Sequence, residues 1–114
     1  MSNDNFLGKP FNIASYTMLL HVVAKMCKMN IGKIVLNAGD DHIYDHHIEP
    51  MNIVCNQYDE MIASCLASRQ LPKYPLLVLD ACVADFEDIA ELKEEHINIY
   101  GYEPKPAVPA RVTK

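Results

Sequence analysis

The sequence has no apolar run approaching the ~20 residues that a membrane-spanning helix requires. It has no basic surplus either. Ten Lys and Arg against 15 Asp and Glu leave a net charge of −5, which argues against broad binding to nucleic acid or to anionic membranes. Cys27, Cys55, Cys65 and Cys82 form no C-x-x-C pair and sit among apolar residues, so they read as reduced core cysteines of a cytoplasmic protein. The first residues carry neither the basic flank nor the apolar core of a secretion signal, which argues against an oxidising compartment. Internal repeats, low-complexity stretches and any clear domain boundary are lacking as well. What is present is ordinary globular composition: 114 residues, half of them apolar and 22% charged, enough for one domain with a modest core.

Residues 1–9 are polar and end in a glycine–proline turn. From Ile13 to about Met29, apolar residues fall on nearly every face, which predicts a helix buried on most sides, with Asn30-Ile31-Gly32 ending it and Gly32 supplying the reversal. Lys33 to Leu36 predicts a short strand leading into an acidic loop from Asn37 to Tyr44. The spacing of Met51, Val54, Cys55, Tyr58, Met61, Ile62, Cys65 and Leu66 predicts an amphipathic helix, with Pro50 harmless in its first turn. Leu76 to Leu79 predicts a buried strand, Asp85 to Glu94 a short acidic helix, and Ile97 to Tyr102 a strand with alternating faces. Pro104, Pro106 and Pro109 keep the tail extended.

Two stretches carry candidate chemistry. In Gly8-Lys9-Pro10-Phe11-Asn12-Ile13-Ala14-Ser15-Tyr16, Asn12 stands at the expected helix entrance, where an amide side chain is first of all a cap. The other reading is recognition, because an amide offers a donor and an acceptor to the edge of a planar heterocycle such as a pyrimidine. The second stretch gathers Asp40, Asp41, His42, Asp45, His46, His47 and Glu49, seven ionisable side chains within ten residues. They suit a divalent metal by residue type but show no H-E-x-x-H pattern, and solvated charges before a helix are the plainer reading. His42 and Tyr44, two apart, point to one side of an extended segment, where an imidazole and a phenol could hold a sugar hydroxyl.

The string from Ser2 through Asn3, Asp4, Gly8 and Asn12 to Tyr16 resembles the pyrimidine-binding segment of thymidylate synthases. Gly39-Asp40-Asp41-His42-Ile43-Tyr44 is similar to that family's G-D-x-H-x-Y motif, and Gly101-Tyr102-Glu103-Pro104-Lys105-Pro106 to its G-Y-x-P-x-P. Three motifs in the family's order make the signal specific. The resemblance implies an α/β fold in the loose (α+β) sense, a mixed sheet packed with helices on one side and pairing with a second subunit through the other. It implies reductive methylation of dUMP to dTMP with 5,10-methylenetetrahydrofolate as co-substrate. The substrate-binding set would be Ser2, Asn3, Asp4, Gly8, Asn12, His42, Ile43 and Tyr44: Ser2 on the phosphate, Asn12 on the uracil ring, His42 and Tyr44 on the ribose hydroxyl. Asp4 and Thr113 would serve the folate, and Asn12 and His42 would assist proton transfer. No metal is implied. Asn12 favours uracil over cytosine, since relatives acting on cytosine nucleotides tend to carry an acid there.

The sequence also departs from the family. It has no Pro-Cys or Cys-His pair to match the nucleophile, lacks the phosphate-binding arginines, and carries Met1 where the family has an arginine before Ser2. The expectation is therefore the C-terminal portion of a thymidylate synthase, inactive alone, completed by a homodimer partner or a complementary N-terminal fragment. A dUMP hydroxymethylase fragment, a non-catalytic structural remnant and, last, a metal-binding protein are the alternatives. The uncovered Ile13 to Met29 helix is expected to expose apolar surface.

Overall fold

The structure, a computed structural model, describes residues 2–112. It divides into two compact units. The first takes residues up to Pro10, Ala38–Tyr74 and the residues from Glu103 on; the second takes Phe11–Asn37 and Pro75–Tyr102. Strands β1 (Ser2–Asp4), β2 (Asp40–His42), β3 (Leu76–Leu79) and β4 (Ile97–Tyr100) and helices α1 (Gly8–Met26) and α2 (Ile48–Ser68) are the main elements. The architecture is α+β, as expected, with the strands in two separate two-stranded sheets.

In the first unit β1 and β2 pair in parallel, Ser2 opposite Asp40, Asn3 opposite Asp41 and Asp4 opposite His42. Both strands are polar, and the sequence alone predicts a turn and a loop here. The pairing is made by partner strands rather than by propensity, which is weak for such residues. A short 3-10 turn over Asp45–His47 leads into α2, which contains the predicted amphipathic segment and holds Pro50 in its first turn. The apolar face of α2 is not sealed: it has no buried residue, and Ile53, Val54, Tyr58 and Leu66 are exposed.

In the second unit β3 and β4 run antiparallel, with Leu76 opposite Tyr100 and Leu79 opposite Ile97. Val22 of α1, Leu79 of β3 and Val83 form the buried core, with Met26, Phe86, Leu92 and Ile97 packed around it. Lys25 Nζ donates to the Leu79 carbonyl at 2.9 Å, and Asn98 Nδ2 to Asp80 Oδ1 at 3.1 Å. β4 stops at Tyr100, short of the expected Tyr102, because Gly101 turns the chain at φ +70°.

Other expectations are corrected. α1 starts five residues before Ile13, so Asn12 lies inside the helix and is not its cap. Pro10 is no obstacle there, because first-turn N–H groups have no intrahelical partner. The helix ends at Met26, short of the expected Met29. Lys28 adopts the left-handed conformation (φ 54°), and the Met29 N–H bonds the Ala24 carbonyl at 2.8 Å. Arg69 closes α2 in the same way at φ 53°. Instead of burial on most sides, α1 buries Val22 and Ala24 and exposes Phe11, Tyr16, Leu19 and Val23. Lys33 to Leu36 forms no strand. Its backbone finds no ladder partner among the described residues, and Val35 is exposed. The expected acidic helix is broken into short 3-10 turns. Asp88 takes the Ala90 N–H, and Glu91 takes those of Glu87 and Asp88, so side chains compete with helical bonding. The cysteines are free but not core: Cys27, Cys55 and Cys82 are exposed and Cys65 is half-buried. They lie beside apolar residues that are themselves uncovered.

Candidate functional site

The first unit builds a polar corner where β1 gives way to the turn before α1. Asp4 Oδ1 accepts the N–H of Phe6 at 2.9 Å and that of Leu7 at 3.3 Å, fixing this turn as Asn12 was expected to fix the helix. Burial pushes the Asp4 carboxyl up, but those two N–H groups and the positive potential of His47 and His42 outweigh it, and the group ends below its ordinary value. Alongside, Asn3 Nδ2 donates to Asp41 Oδ1 at 2.9 Å. Lys9 Nζ bridges Asp41 Oδ2 and Asn5 Oδ1. The Lys9 hydrogen bond, then that of Asn3, holds the Asp41 carboxyl low.

From the end of β2 a run of rings follows. His42 and Tyr44 meet edge to face at 5.0 Å, Tyr44 and His46 stack at 5.5 Å, and His46 and His47 approach to 4.3 Å. His47 is sealed from solvent and is the buried polar residue among those described. Its Nε2 lies 2.8 Å from the Arg111 carbonyl. A carbonyl only accepts, so Nε2 carries the hydrogen. Nδ1 has no hydrogen-bond partner and lies 3.7 Å from Asp4 Oδ1.

The corner thus brings together Asn3, Asp4, His42 and Tyr44. Gly8 adjoins it, since a Cβ there would meet the Asp4 Cβ at 3.5 Å, an ordinary contact. Ser2 is placed by its backbone opposite Asp40, and Ile43 is exposed. Asn12 belongs to the second unit, exposed on α1 and with no side-chain hydrogen bond among the described residues. Thr113 and Met1 lie outside the described residues. Sequence reasoning gave no role to Lys9 and read Asp41 and His47 only as members of an ionisable run. The one available signal for Lys9 and Asp41 was their opposite charge. Nothing marks His47 as buried in so polar a stretch.

Chemically the corner offers an ionised carboxylate acceptor, an imidazole and phenol side by side, and a lysine already committed to Asp41. It is equipped to bind and orient a polar ligand. Among the described residues no three His, Cys, Asp or Glu side chains group as a metal site, and no helix is long and apolar enough to cross a membrane. The second unit has a cleft of about 450 Å³ lined by His21, Lys25, Lys28, Met29, Ile31 and Leu79, among others. It contains none of the residues the motifs single out.

The crystal structure of thymidylate synthase from T4 phage is similar, with a TM-score of 0.72 and 28% identity, over 97% of this chain and 38% of that one. The chain therefore spans well under half the length of that relative. The sequence pattern of the family described as thymidylate synthase matches residues 1–114, and with its whole length matched the chain belongs to that family.

Proposed function

We propose that this chain supplies the uracil-, ribose- and part of the folate-binding residues for reductive methylation of dUMP to dTMP. The observation that carries the reading is the family match over all 114 residues, with residues of two of its motifs, Asp4 and the His42–Tyr44 pair, gathered on one corner. Asn12, exposed and uncommitted, offers its amide to the uracil carbonyl and ring N–H. His42 and Tyr44 hold the ribose hydroxyl, and the motifs assign His42 and Asn12 each to assisting proton transfer.

The residues present fit 5,10-methylenetetrahydrofolate in part. Asp4 uses Oδ1 for two backbone N–H groups, its Oδ2 takes none among the described residues, and the side chain keeps 20% of its surface open. An ionised oxygen in that setting suits the N–H donors of a reduced pterin. When bound, that co-substrate supplies the one-carbon unit and the hydride. Thr113 is assigned to it from the motif alone.

The chain has no Pro-Cys-His segment and no phosphate arginines, so by itself it is expected to turn nothing over. Charge-assisted hydrogen bonds to the dianion, each worth roughly 1.5–3 kcal/mol, would have to come from elsewhere. Exposed Phe11, Tyr16, Leu19 and Val23 on α1 support completion by a complementary N-terminal fragment or a second subunit. Cytoplasmic placement is part of the same proposal.

The test is to mix the purified chain with the N-terminal portion of a thymidylate synthase and assay dUMP with 5,10-methylenetetrahydrofolate. Dihydrofolate formed by the mixture, but by neither piece alone, supports the synthase. Hydroxymethylated dUMP with tetrahydrofolate retained would make the chain part of a hydroxymethylase. Stable association without turnover would leave a structural remnant and sink the proposal.

A further inference from the structure

The tail from Glu103 to Val112 is extended and proline-rich, and prolines lack the N–H that a ladder needs. Among the described residues, the bond from the His47 ring to the Arg111 carbonyl is the one hydrogen bond this tail makes. The donor is no surface group. His47 is sealed from solvent, with Phe6 at 5.2 Å, Tyr44 at 5.6 Å and His46 at 4.3 Å around its ring. The charged group facing it is the Asp4 carboxylate, 3.7 Å from Nδ1.

We propose that His47 is a positioning residue that ties the C-terminal tail to the Asp4 corner. One ring nitrogen holds the Arg111 backbone, and the other lies against the Asp4 carboxylate. The tie stands on the His47–Arg111 bond and does not rest on the function proposed above.

The tail reports on its own attachment. Trypsin cleavage after Arg111 requires that same carbonyl to enter the protease, so the bond to His47 must open first. Lys105 is followed by Pro106 and resists cleavage, and Lys73–Tyr74 serves as an internal reference. The experiment is native-state trypsin digestion of the full chain, following loss of the residues after Arg111 by mass spectrometry, with no ligand present. His47→Leu should speed this cleavage by about tenfold or more, because cleavage follows the open population. His47→Gln, which keeps a donor near the Nε2 position, should restore much of the protection, a rescue that mere space-filling cannot give. Circular dichroism and the Lys73 reference rate show whether a variant is folded. Equal rates at Arg111 in the wild type and His47→Leu, or no difference between Leu and Gln at position 47 in folded protein, would overturn the tie. Either result leaves the dUMP reading untouched, which the complementation assay decides separately.

Discussion

The two units are sealed by different kinds of residue. In the second, Val22, Leu79 and Val83 are buried and the surrounding contacts are apolar. In the first, the side chain removed from solvent is the imidazole of His47, and Asp4, Asp41 and Lys9 meet in directional bonds around it. Non-directional burial tolerates small shifts, whereas hydrogen bonds and ion pairs demand placed atoms. The unit that presents most of the motif residues is the one held by placed atoms, and the other is held by burial.

The largest effect that would break this contrast comes from the apolar side. Val83→Asp puts an unpaired charge where no solvent reaches. We expect a loss of at least about 3 kcal/mol, seen as lost amide protection in β3 and β4. Protection surviving there would mean that the Val22–Leu79–Val83 cluster is not what holds the second unit.

Next comes Asp4→Ala, which orphans the Phe6 and Leu7 N–H groups. We expect about 1–3 kcal/mol, local to β1 and β2, moderated because the carboxylate is partly open to solvent. Acid should do the same. Asp4 and Asp41 both lie below their ordinary value near 3.8 in the folded chain. A depressed carboxyl gives stability that is complete above its unfolded value and lost as pH falls through the folded one. Hydrogen exchange in β1 and β2 should therefore rise as the pH drops below about 4, with a smaller rise in Asp41→Asn. An unchanged acid profile in that variant would remove Asp41 from the account.

A smaller effect samples both units alike. Lys28 and Arg69 end their helices in a conformation that glycine adopts without steric penalty. Lys28→Gly and Arg69→Gly should each stabilise by about 0.5–1 kcal/mol in chemical denaturation. A loss instead would show that the basic side chain's interaction with the helix end outweighs the backbone strain. Smallest of all, Asp85→Asn breaks an ion pair 3.4 Å long whose partners are 70% and 79% exposed. It should move stability by no more than about 0.5 kcal/mol.

Legibility in the sequence followed the same divide. The amphipathic spacing in α2 and the β-branched and leucine runs of β3 and β4 were readable, because each has a period that one segment can express by itself. The strand Asp40–His42 was not, since an Asp-Asp-His stretch becomes a strand only when Ser2–Asp4 lies beside it. Asn12 shows the other failure. Its identity suits a cap, yet the turn held by Asp4 and the start of α1 at Gly8 leave it in the helix interior with its amide free. The Lys33–Leu36 run had the right residues for a strand and, among the described residues, no neighbour to pair with.

By itself the sequence determined the family, the α+β class, the order of the motifs and the residue types of the site, because side-chain chemistry and local spacing are written along the chain. The tertiary structure decided which of those residues meet. Asp4, His42 and Tyr44 come together through parallel pairing of segments 38 positions apart, and His47 is sealed between Asp4 and a tail more than 60 residues away. Such contacts depend on where distant segments return. No local period encodes that.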